Sequence, residues 1–153
     1  MSDGAREPPS GWHRHAASST CLPKGSASWK LNDERVYGPD DESVSLLNED
    51  IGTLVTLYTY PARDAFDVEF QEVVAEISHT CTENPVMTSE QGGTHFVACV
   101  RRMDGVLLVE QALMFQRDKW LHKARITFPD VASQQAYTPV MSVVSQAFAP
   151  CPR

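Results

Sequence analysis

The segment VLLVEQALMFQRDKWLHKARITF, residues 106–128, carries the clearest structural pattern in this chain. Its pattern indicates two long strands joined by a polar turn at Arg117, Asp118 and Lys119. Both strands carry apolar residues on both faces, so the sheet that contains them must be covered on both sides. We therefore expect this hairpin to lie at the centre of the sheet and not at its edge.

The alternation of side chains assigns each residue of the hairpin to one face, because successive side chains of a strand point in opposite directions. One face of the second strand carries Trp120, His122, Ala124, Ile126 and Phe128. The other carries Leu121, Lys123, Arg125 and Thr127. In the first strand, Val106, Leu108, Glu110, Ala112 and Met114 alternate with Leu107, Val109, Gln111, Leu113 and Phe115.

Other segments also have strand patterns. Residues 53–60, TLVTLYTY, are β-branched and aromatic and stop at Pro61, which predicts a strong strand. Weaker patterns occur at 29–37, 43–47 and 86–88. Residues 94–103 predict a long strand, and Asp104 and Gly105 predict a tight turn from it into the 106–128 hairpin.

Two segments have helical periodicity. In 64–78, with Asp64 as the expected N-cap, one stripe is apolar and the opposite face carries Glu69, Glu72 and Glu76, which we expect to be solvated. In 131–148 the apolar stripe is Tyr137, Val140, Met141, Val144 and Phe148. Pro139 lies inside this second helix and predicts either a kink or a helix that starts at that point.

These elements predict an α+β fold: an antiparallel β-sheet of about six or seven strands packed with two helices. Residues 1–26 are rich in Ser, Pro, Gly and Ala, so we expect a flexible N-terminal arm there and a single α/β domain over residues 27–153. His13 and His15, with Cys21 nearby, have metal-binding side chains. A flexible segment lacks the supporting hydrogen bonds of a metal site, which favours a solvated tail.

Composition limits the possible functions. The net charge is −7, and an acidic chain is a poor binder of nucleic acid, because that binding depends on clustered Lys and Arg. No apolar run approaches the roughly 20 residues of a membrane span. The N-terminus has no apolar core like that of a signal peptide, so we expect either a cytoplasmic protein or a chain from which a signal peptide has been removed.

The four cysteines are Cys21, Cys81, Cys99 and Cys151, and none of them forms a CxxC pair. This spacing argues against a zinc ribbon and a thioredoxin-type motif. Two disulfides are possible, in three connectivities, and we favour Cys81–Cys99 and Cys21–Cys151. The alternative is four buried thiols in a cytoplasmic protein.

The sequence contains no Gly-rich phosphate loop, nucleophile elbow, HExxH motif or EF-hand. His79, Cys81, His95 and Cys99 are zinc-binding residue types. However, His95 and Cys99 lie about 13 Å apart along the predicted strand, too far to share one ion. We therefore expect no catalytic residue, no metal site and no cofactor, and a protein that is not an enzyme.

A basic strip on the sheet is the first candidate site. Lys123 and Arg125 share a face and could bind an acidic partner or an anionic ligand, whereas the alternative is ordinary pairing with Glu69, Glu72 and Glu76 of the first helix. The full set is Arg101, Arg102, Arg117, Lys119, Lys123 and Arg125. The second candidate is a small-molecule pocket between helix and sheet, lined by Tyr58, Tyr60, Trp120 and His122.

Two stretches resemble the PsbP/DcrB-like family: GTLVTLYTYP at 52–61 and KARITFPDVASQQAYTPVMSVVSQAF at 123–148. The likeness spans roughly residues 27–149 and includes the order of strands and helices. It implies an antiparallel sheet sandwiched by helices. Members of this family are mostly non-enzymatic and include photosystem assembly factors, lipoproteins and chaperones of secretion-system effectors.

The sequence and the resemblance together predict a non-enzymatic, partner-binding protein of a bacterial envelope or secretion system, of the immunity-protein or chaperone type. The alternative is a small-molecule-binding protein or an enzyme that uses the pocket between helix and sheet. Disulfides would favour a periplasmic or secreted protein, and free thiols would favour a cytoplasmic one.

Overall fold

The computed structural model of this protein describes residues 11–25, 28–81 and 85–151. Of the predicted N-terminal arm, residues 1–10 and 26 lie outside the described residues.

A seven-stranded antiparallel sheet forms the centre of the fold, in the order β3-β4-β5-β9-β8-β7-β6. The protein is therefore α+β, with the strand number that the sequence predicts. The strands are β3 (Lys30–Gly38), β4 (Asp41–Asn48), β5 (Thr53–Pro61), β6 (Met87–Gln91), β7 (Thr94–Met103), β8 (Val106–Arg117) and β9 (Trp120–Pro129). A separate two-stranded sheet consists of β1 (Trp12–His15) and β2 (Thr20–Pro23).

The 106–128 hairpin is central, as its two-sided apolar pattern predicts. Strand β9 is the middle strand of the seven, with β5 on one side and β8 on the other. Its side chains reach a core cluster on each face, Ala124 and Ile126 on one and Leu121 on the other. A strand with apolar side chains on both faces is stable there because both faces are covered.

Helix α1 (Phe66–Thr80) packs against β7 and β8 on one face of the sheet, here called the α1 face. Its buried stripe contains Phe70, Val73 and Ile77. The N-cap expected at Asp64 is wrong: the cap is Ala65, which makes no side-chain cap hydrogen bond. Instead, the carboxylate of Glu69 accepts the backbone N–H groups that precede the helix.

Helix α2 (Ser133–Phe148) follows a 3-10 turn at Asp130–Ala132 and packs on the opposite face, here called the α2 face. Its buried stripe differs in part from the predicted one. Val140 and Val144 are buried, but Tyr137 is 69% exposed, because the buried positions are shifted toward Ala136, Val143 and Ala147. Pro139 lies inside the helix, so the helix does not begin there.

Part of the predicted flexible arm is ordered, which corrects that expectation. Strands β1 and β2 form an antiparallel hairpin, in which Cys21 and Leu22 are buried and Leu22 joins the core beneath α2. His15 is also buried: it donates from Nε2 to the Asp40 carbonyl oxygen (2.6 Å) and bonds through Nδ1 to the Ser18 hydroxyl (2.7 Å). Tertiary contacts order this segment although it has no local periodicity.

Both disulfides that the sequence favoured are present. Cys21 in β2 is bonded to Cys151, which follows α2, and Cys81 at the end of α1 is bonded to Cys99 in β7. The first joins the two ends of the described chain and the second attaches α1 to the sheet.

The two helices cover different halves of the sheet. On the α1 face, α1 lies over β7 and β8, and the side chains of β3, β4 and β5 extend beyond it. On the α2 face, α2 lies over β5 and β9, and β2 lies beside it next to β4. Within the described residues, neither helix covers β3–β5 on the α1 face or most of β6–β8 on the α2 face. A cavity opens at each of these two boundaries.

Candidate functional site

The cavity on the α1 face, here called the tyrosine–lysine cavity, has a volume of about 300 Å³. It lies between the acidic side of α1 and the sheet, where β4, β5 and β9 extend beyond the helix. Its lining residues are Tyr37, Asp41, Tyr58, Tyr60, Arg63, Glu69, Glu72, Val73, Glu76 and Lys123. This cavity contains aromatic rings and charges of both signs.

Lys123 is 8% exposed. It pairs with Tyr58 across β5 and β9, and its ammonium lies 4.4 Å from the centroid of the Tyr58 ring and 5.8 Å from that of Tyr60. Such cation–π contacts stabilise the charge. Burial lowers the pKa of Lys123, while the carboxylate of Glu76 acts in the opposite direction. The nearest carboxylate oxygen, Oε2 of Glu76, is 3.8 Å away, which is beyond hydrogen-bond distance.

The tyrosines form an aromatic row beside this ammonium. Tyr37 stacks on Tyr58 with ring centroids 6.3 Å apart, and its hydroxyl bonds to Ser43 at 2.8 Å. Burial raises the pKa of both Tyr58 and Tyr60, and nearby carboxylates, chiefly Glu69, raise that of Tyr60 further. Both phenols are therefore neutral at physiological pH and can donate or accept hydrogen bonds.

The three glutamates of α1 do not all lie on a solvated face, which corrects that expectation. Glu69 is 6% exposed, and its Oε2 accepts the backbone N–H groups of Arg63 (2.6 Å) and Asp64 (3.2 Å). A buried carboxylate needs such partners. Glu72 and Glu76 are exposed but line the cavity, because α1 lies close to the edge of the covered half of the sheet.

The six basic residues do not form one strip. Arg101 and Arg125 lie on the α1 face around the buried Glu110, with Arg101 Nε 2.7 Å from Oε2 and Arg125 NH2 4.0 Å from Oε1. Arg125 NH1 also lies 3.7 Å from Glu76, so these cations are paired within the protein. Of the three helix glutamates in the alternative of ordinary pairing, Glu76 is the one that pairs with these cations, and their other partner is Glu110 of β8.

The remaining basic residues lie elsewhere. Arg102 pairs with Leu107 and points to the α2 face, opposite its neighbour Arg101. Arg117 donates to the carbonyl oxygen of Phe148 at 2.7 Å, and Lys119 lies over the ring of Trp120. The predicted basic strip is therefore wrong as a single surface.

The predicted pocket is also divided between the two faces. Tyr58 pairs with Lys123, whereas Trp120 pairs with Pro61 and His122 with Thr59, so Trp120 and His122 point away from the two tyrosines. Tyr58 and Tyr60 line the tyrosine–lysine cavity. Trp120 and His122 are instead buried on the α2 face, where His122 stacks on Phe115 with centroids 4.8 Å apart.

A second cavity, on the α2 face, has a volume of about 320 Å³ and is mainly apolar. It lies between the N-terminal half of α2 and strands β7–β9, and it opens toward β6. Its lining residues are Phe96, Val109, Gln111, Leu113, Phe128, Ser133, Ala136, Tyr137, Val140 and Met141.

An open apolar surface continues from this second cavity. Met87 pairs with Ala98 and Ala98 with Gln111, so the side chains of β6 and β7 extend the apolar lining toward the sheet edge. Met87 is 74% exposed. We define this open apolar surface as Met87, Phe96, Ala98, Val100, Leu107 and Tyr137.

The open half of the α1 face is different in character. It carries the buried Ser43 and Ser45 and the half-buried Thr56, with the hydroxyls of Ser45 and Thr56 3.2 Å apart, and it also exposes Tyr37 and Leu54. A contiguous exposed apolar area marks a place of interaction.

In the described residues, no group of three or more His, Cys, Asp or Glu side chains is arranged to hold a metal ion. Cys81 and Cys99 are bonded to each other, and His95 packs on the rings of Phe66 and Phe70. No helix in this part of the chain is long and apolar enough to cross a membrane.

No family model matches the chain. No curated protein is significantly similar to it. Among solved structures, it resembles LpqN of Mycobacterium tuberculosis, a protein described as involved in cell envelope biogenesis. The TM-score is 0.49 at 11% sequence identity, and the alignment covers 82% of this chain and 78% of LpqN. A likeness at this level leaves the function to be argued from the site itself.

Proposed function

We propose that this protein is a non-enzymatic binding protein of the bacterial envelope or a secretion system, of the immunity-protein or chaperone type with a PsbP/DcrB-like fold. It binds a protein partner through the open apolar surface. The observation that carries the proposal is the contrast between the two open halves of the sheet. The half on the α1 face mixes hydroxyl side chains with the exposed Tyr37 and Leu54 beside a charged cavity, whereas the half on the α2 face exposes Met87 and Tyr137 beside an apolar cavity.

The proposed compartment rests on the two disulfides. Disulfides form and persist in oxidising spaces such as the periplasm and are rare in the cytoplasm of mesophiles. Both bonds of this protein connect distant parts of the fold, with sequence separations of 130 and 18 residues. They therefore support a periplasmic or secreted protein.

Protein partners bind to surfaces of this kind because burying apolar area is favourable and the centres of interfaces are depleted in charge. The open apolar surface contains no charged residue among its six members. Ser89 and Gln91 on β6 and Arg102 on β7 lie on the same face and flank it, as polar rims flank the interfaces of known complexes.

The test combines capture of the partner with matched variants. The oxidised protein is used to capture binding proteins from envelope extracts of its native host. We expect Met87→Glu with Tyr137→Glu to lose the captured protein, because two charges would be buried at the contact. Val36→Glu is the control, since Val36 is 70% exposed but lies on the edge strand β3. Equal capture by the double variant and the wild type would refute the proposed surface.

Small-molecule binding is a second candidate function, favoured by the tyrosine–lysine cavity. Lys123, Tyr58 and Tyr60 combine burial with shifted pKa values in one concave site, and such a combination is typical of ligand-binding positions. Ligand binding here is compatible with a partner on the other side, because the two sites lie on opposite faces of the sheet. Titration of the purified protein with small ligands tests it.

A further inference from the structure

We propose that the tyrosine–lysine cavity binds a small zwitterion of the amino-acid or short-peptide class. The ligand's carboxylate meets Lys123 and its ammonium meets Glu72. This inference rests on the second candidate function and is independent of the open apolar surface. It follows from the unsatisfied groups, the charges and the size of the cavity.

The first support is the ammonium of Lys123. It is buried against two tyrosine rings, and within the described part of the chain its three N–H groups make no hydrogen bond. The ammonium opens to the cavity and its ion pair with Glu76 is longer than a hydrogen bond, so a ligand oxygen inside the cavity would supply a hydrogen bond that no described residue makes. A carboxylate oxygen is the strongest acceptor, because both partners then carry charge.

The second support is Glu72, on the α1 side of the same cavity. Unlike Glu69 and Glu76, it makes no ion pair or hydrogen bond with any described residue, and it is exposed to the opening. Its carboxylate is available for a ligand ammonium. The ring of Tyr37, which is half-exposed, lines the same cavity and adds an aromatic surface to it.

The charged residues that line the cavity favour a zwitterion over a simple anion or a simple amine. Four carboxylates, from Asp41, Glu69, Glu72 and Glu76, face two cations, Arg63 and Lys123. A simple anion would gain from Lys123 but would be repelled by the carboxylate excess, and a simple amine would leave Lys123 unsatisfied. A zwitterion adds no net charge and gives each sign a partner of the opposite sign.

The volume of the cavity limits the size of the ligand that it can hold. Its volume of about 300 Å³ is at the lower end of the range for small-molecule sites. Arg63 lies at the mouth, 74% exposed in its side chain and 3.5 Å from Asp41, and can bind a second carboxylate or a peptide carbonyl. An amino acid or dipeptide matches these dimensions.

The test uses sets of ligands that differ only in charge. The oxidised protein is titrated by calorimetry and by NMR with the common amino acids and with dialanine. For any amino acid that binds, the matching amine and acid are titrated as well; leucine, isoamylamine and isovalerate form one such set. We expect the zwitterion to bind at least tenfold more tightly than either half-ligand.

Variants test the two contacts. Lys123→Met and Glu72→Gln are each expected to weaken zwitterion binding at least tenfold, whereas Lys119→Met and Glu90→Gln, which change charges outside the cavity, leave it unchanged. Glu72 is exposed, so its variant stays folded even if Lys123→Met does not.

The possible results distinguish the proposed ligand class from small-molecule binding as such. Binding of an amine or an acid as tight as that of the zwitterion would refute the ligand class and leave small-molecule binding in place. Unchanged affinity in Glu72→Gln would refute the assigned ammonium contact. Binding of none of the amino acids or of dialanine would refute the ligand class, and small-molecule binding as such is then tested with ligands of other chemistry.

Discussion

Cys81 and Cys99 join the C-terminal end of α1 to strand β7, with their Cα atoms 6.1 Å apart. Cys99 lies on the α1 face, beneath the last turn of the helix, and its sulfur also approaches the Ile77 carbonyl oxygen. The bond therefore holds α1 on the outer half of the sheet. The position of the helix in turn leaves the tyrosine–lysine cavity open at the other end.

Removing the Cys81–Cys99 disulfide is expected to destabilise the protein moderately. Replacing Cys81 and Cys99 together by Ala should lower the free energy of unfolding by about 3 kcal/mol, the chain-entropy value for closing an 18-residue loop. Urea unfolding of the oxidised proteins measures the difference. Wild type treated with reductant provides the comparison, and a change below about 1 kcal/mol would contradict the expected role.

Removing the Cys21–Cys151 bond is expected to cost more, about 5 kcal/mol, because this bond closes a loop with a sequence separation of 130 residues. Replacing both cysteines by Ala should also expose the β1–β2 hairpin to proteolysis before the sheet unfolds. Mass spectrometry of the unreduced protein after alkylation checks the bonds directly. Four alkylated thiols would eliminate both disulfides and remove the main support for an oxidising compartment.

Acid should destabilise the protein through His122. Burial, with smaller contributions from Arg117 and His15, lowers the pKa of His122 to about 4, whereas the unfolded chain has the ordinary value of 6.5. The folded state therefore favours the neutral imidazole. Its contribution to stability is fully present above pH 6.5 and is lost as the pH falls toward 4. The loss should reach about 3 kcal/mol.

Comparison of variants isolates this effect. His122→Phe removes the titrating group but keeps an aromatic ring against Phe115, and its free energy of unfolding should fall less steeply between pH 7 and pH 4. His79→Gln, which changes an exposed histidine of α1, should keep the wild-type slope. Parallel curves for His122→Phe and wild type would contradict the assignment.

Substitution of Glu110 is expected to destabilise the protein more than substitution of any other carboxylate on the α1 face. It is buried, with Oε2 2.7 Å from Arg101 Nε and Oε1 accepting the Thr127 hydroxyl at 2.7 Å. Glu110→Leu would leave Arg101 and Arg125 partly buried without this partner, and breaking such a pair typically costs about 3–5 kcal/mol. We expect a loss of about 3 kcal/mol in chemical unfolding.

A second substitution distinguishes the loss of the Glu110–Arg101 ion pair from the loss of side-chain packing. Adding Arg101→Leu to Glu110→Leu should restore part of the stability, because one unpaired cation is then removed. Glu90→Gln, on the exposed edge strand β6, should change stability by less than about 0.5 kcal/mol. Equal losses in the single and double variants would show that the charge of Arg101 is not the cause.

The tyrosine–lysine cavity could be predicted only in part. The alternation in TLVTLYTY places Tyr58 and Tyr60 on one face of β5, and the helix period brings Glu69, Glu72 and Glu76 together. The alternation within one strand does not show which of its two faces lies on the same side of the sheet as a given face of another strand. That depends on the pairing of Tyr58 with Lys123, a contact across 65 positions of sequence that no local pattern specifies.

Local periodicity was enough to predict the central hairpin with two apolar faces, the two amphipathic helices, and an antiparallel sheet of six or seven strands. Contacts between distant segments account for the features that periodicity did not predict. The β1–β2 hairpin is ordered by the burial of Leu22 and by the disulfide of Cys21. The pairing of β5 with β9 places Trp120 and His122 on the face opposite the tyrosines. Glu69 is buried because its carboxylate binds backbone N–H groups of the segment before α1. The physical reason is that periodicity fixes the direction of each side chain within its element, whereas register and packing decide what each side chain meets.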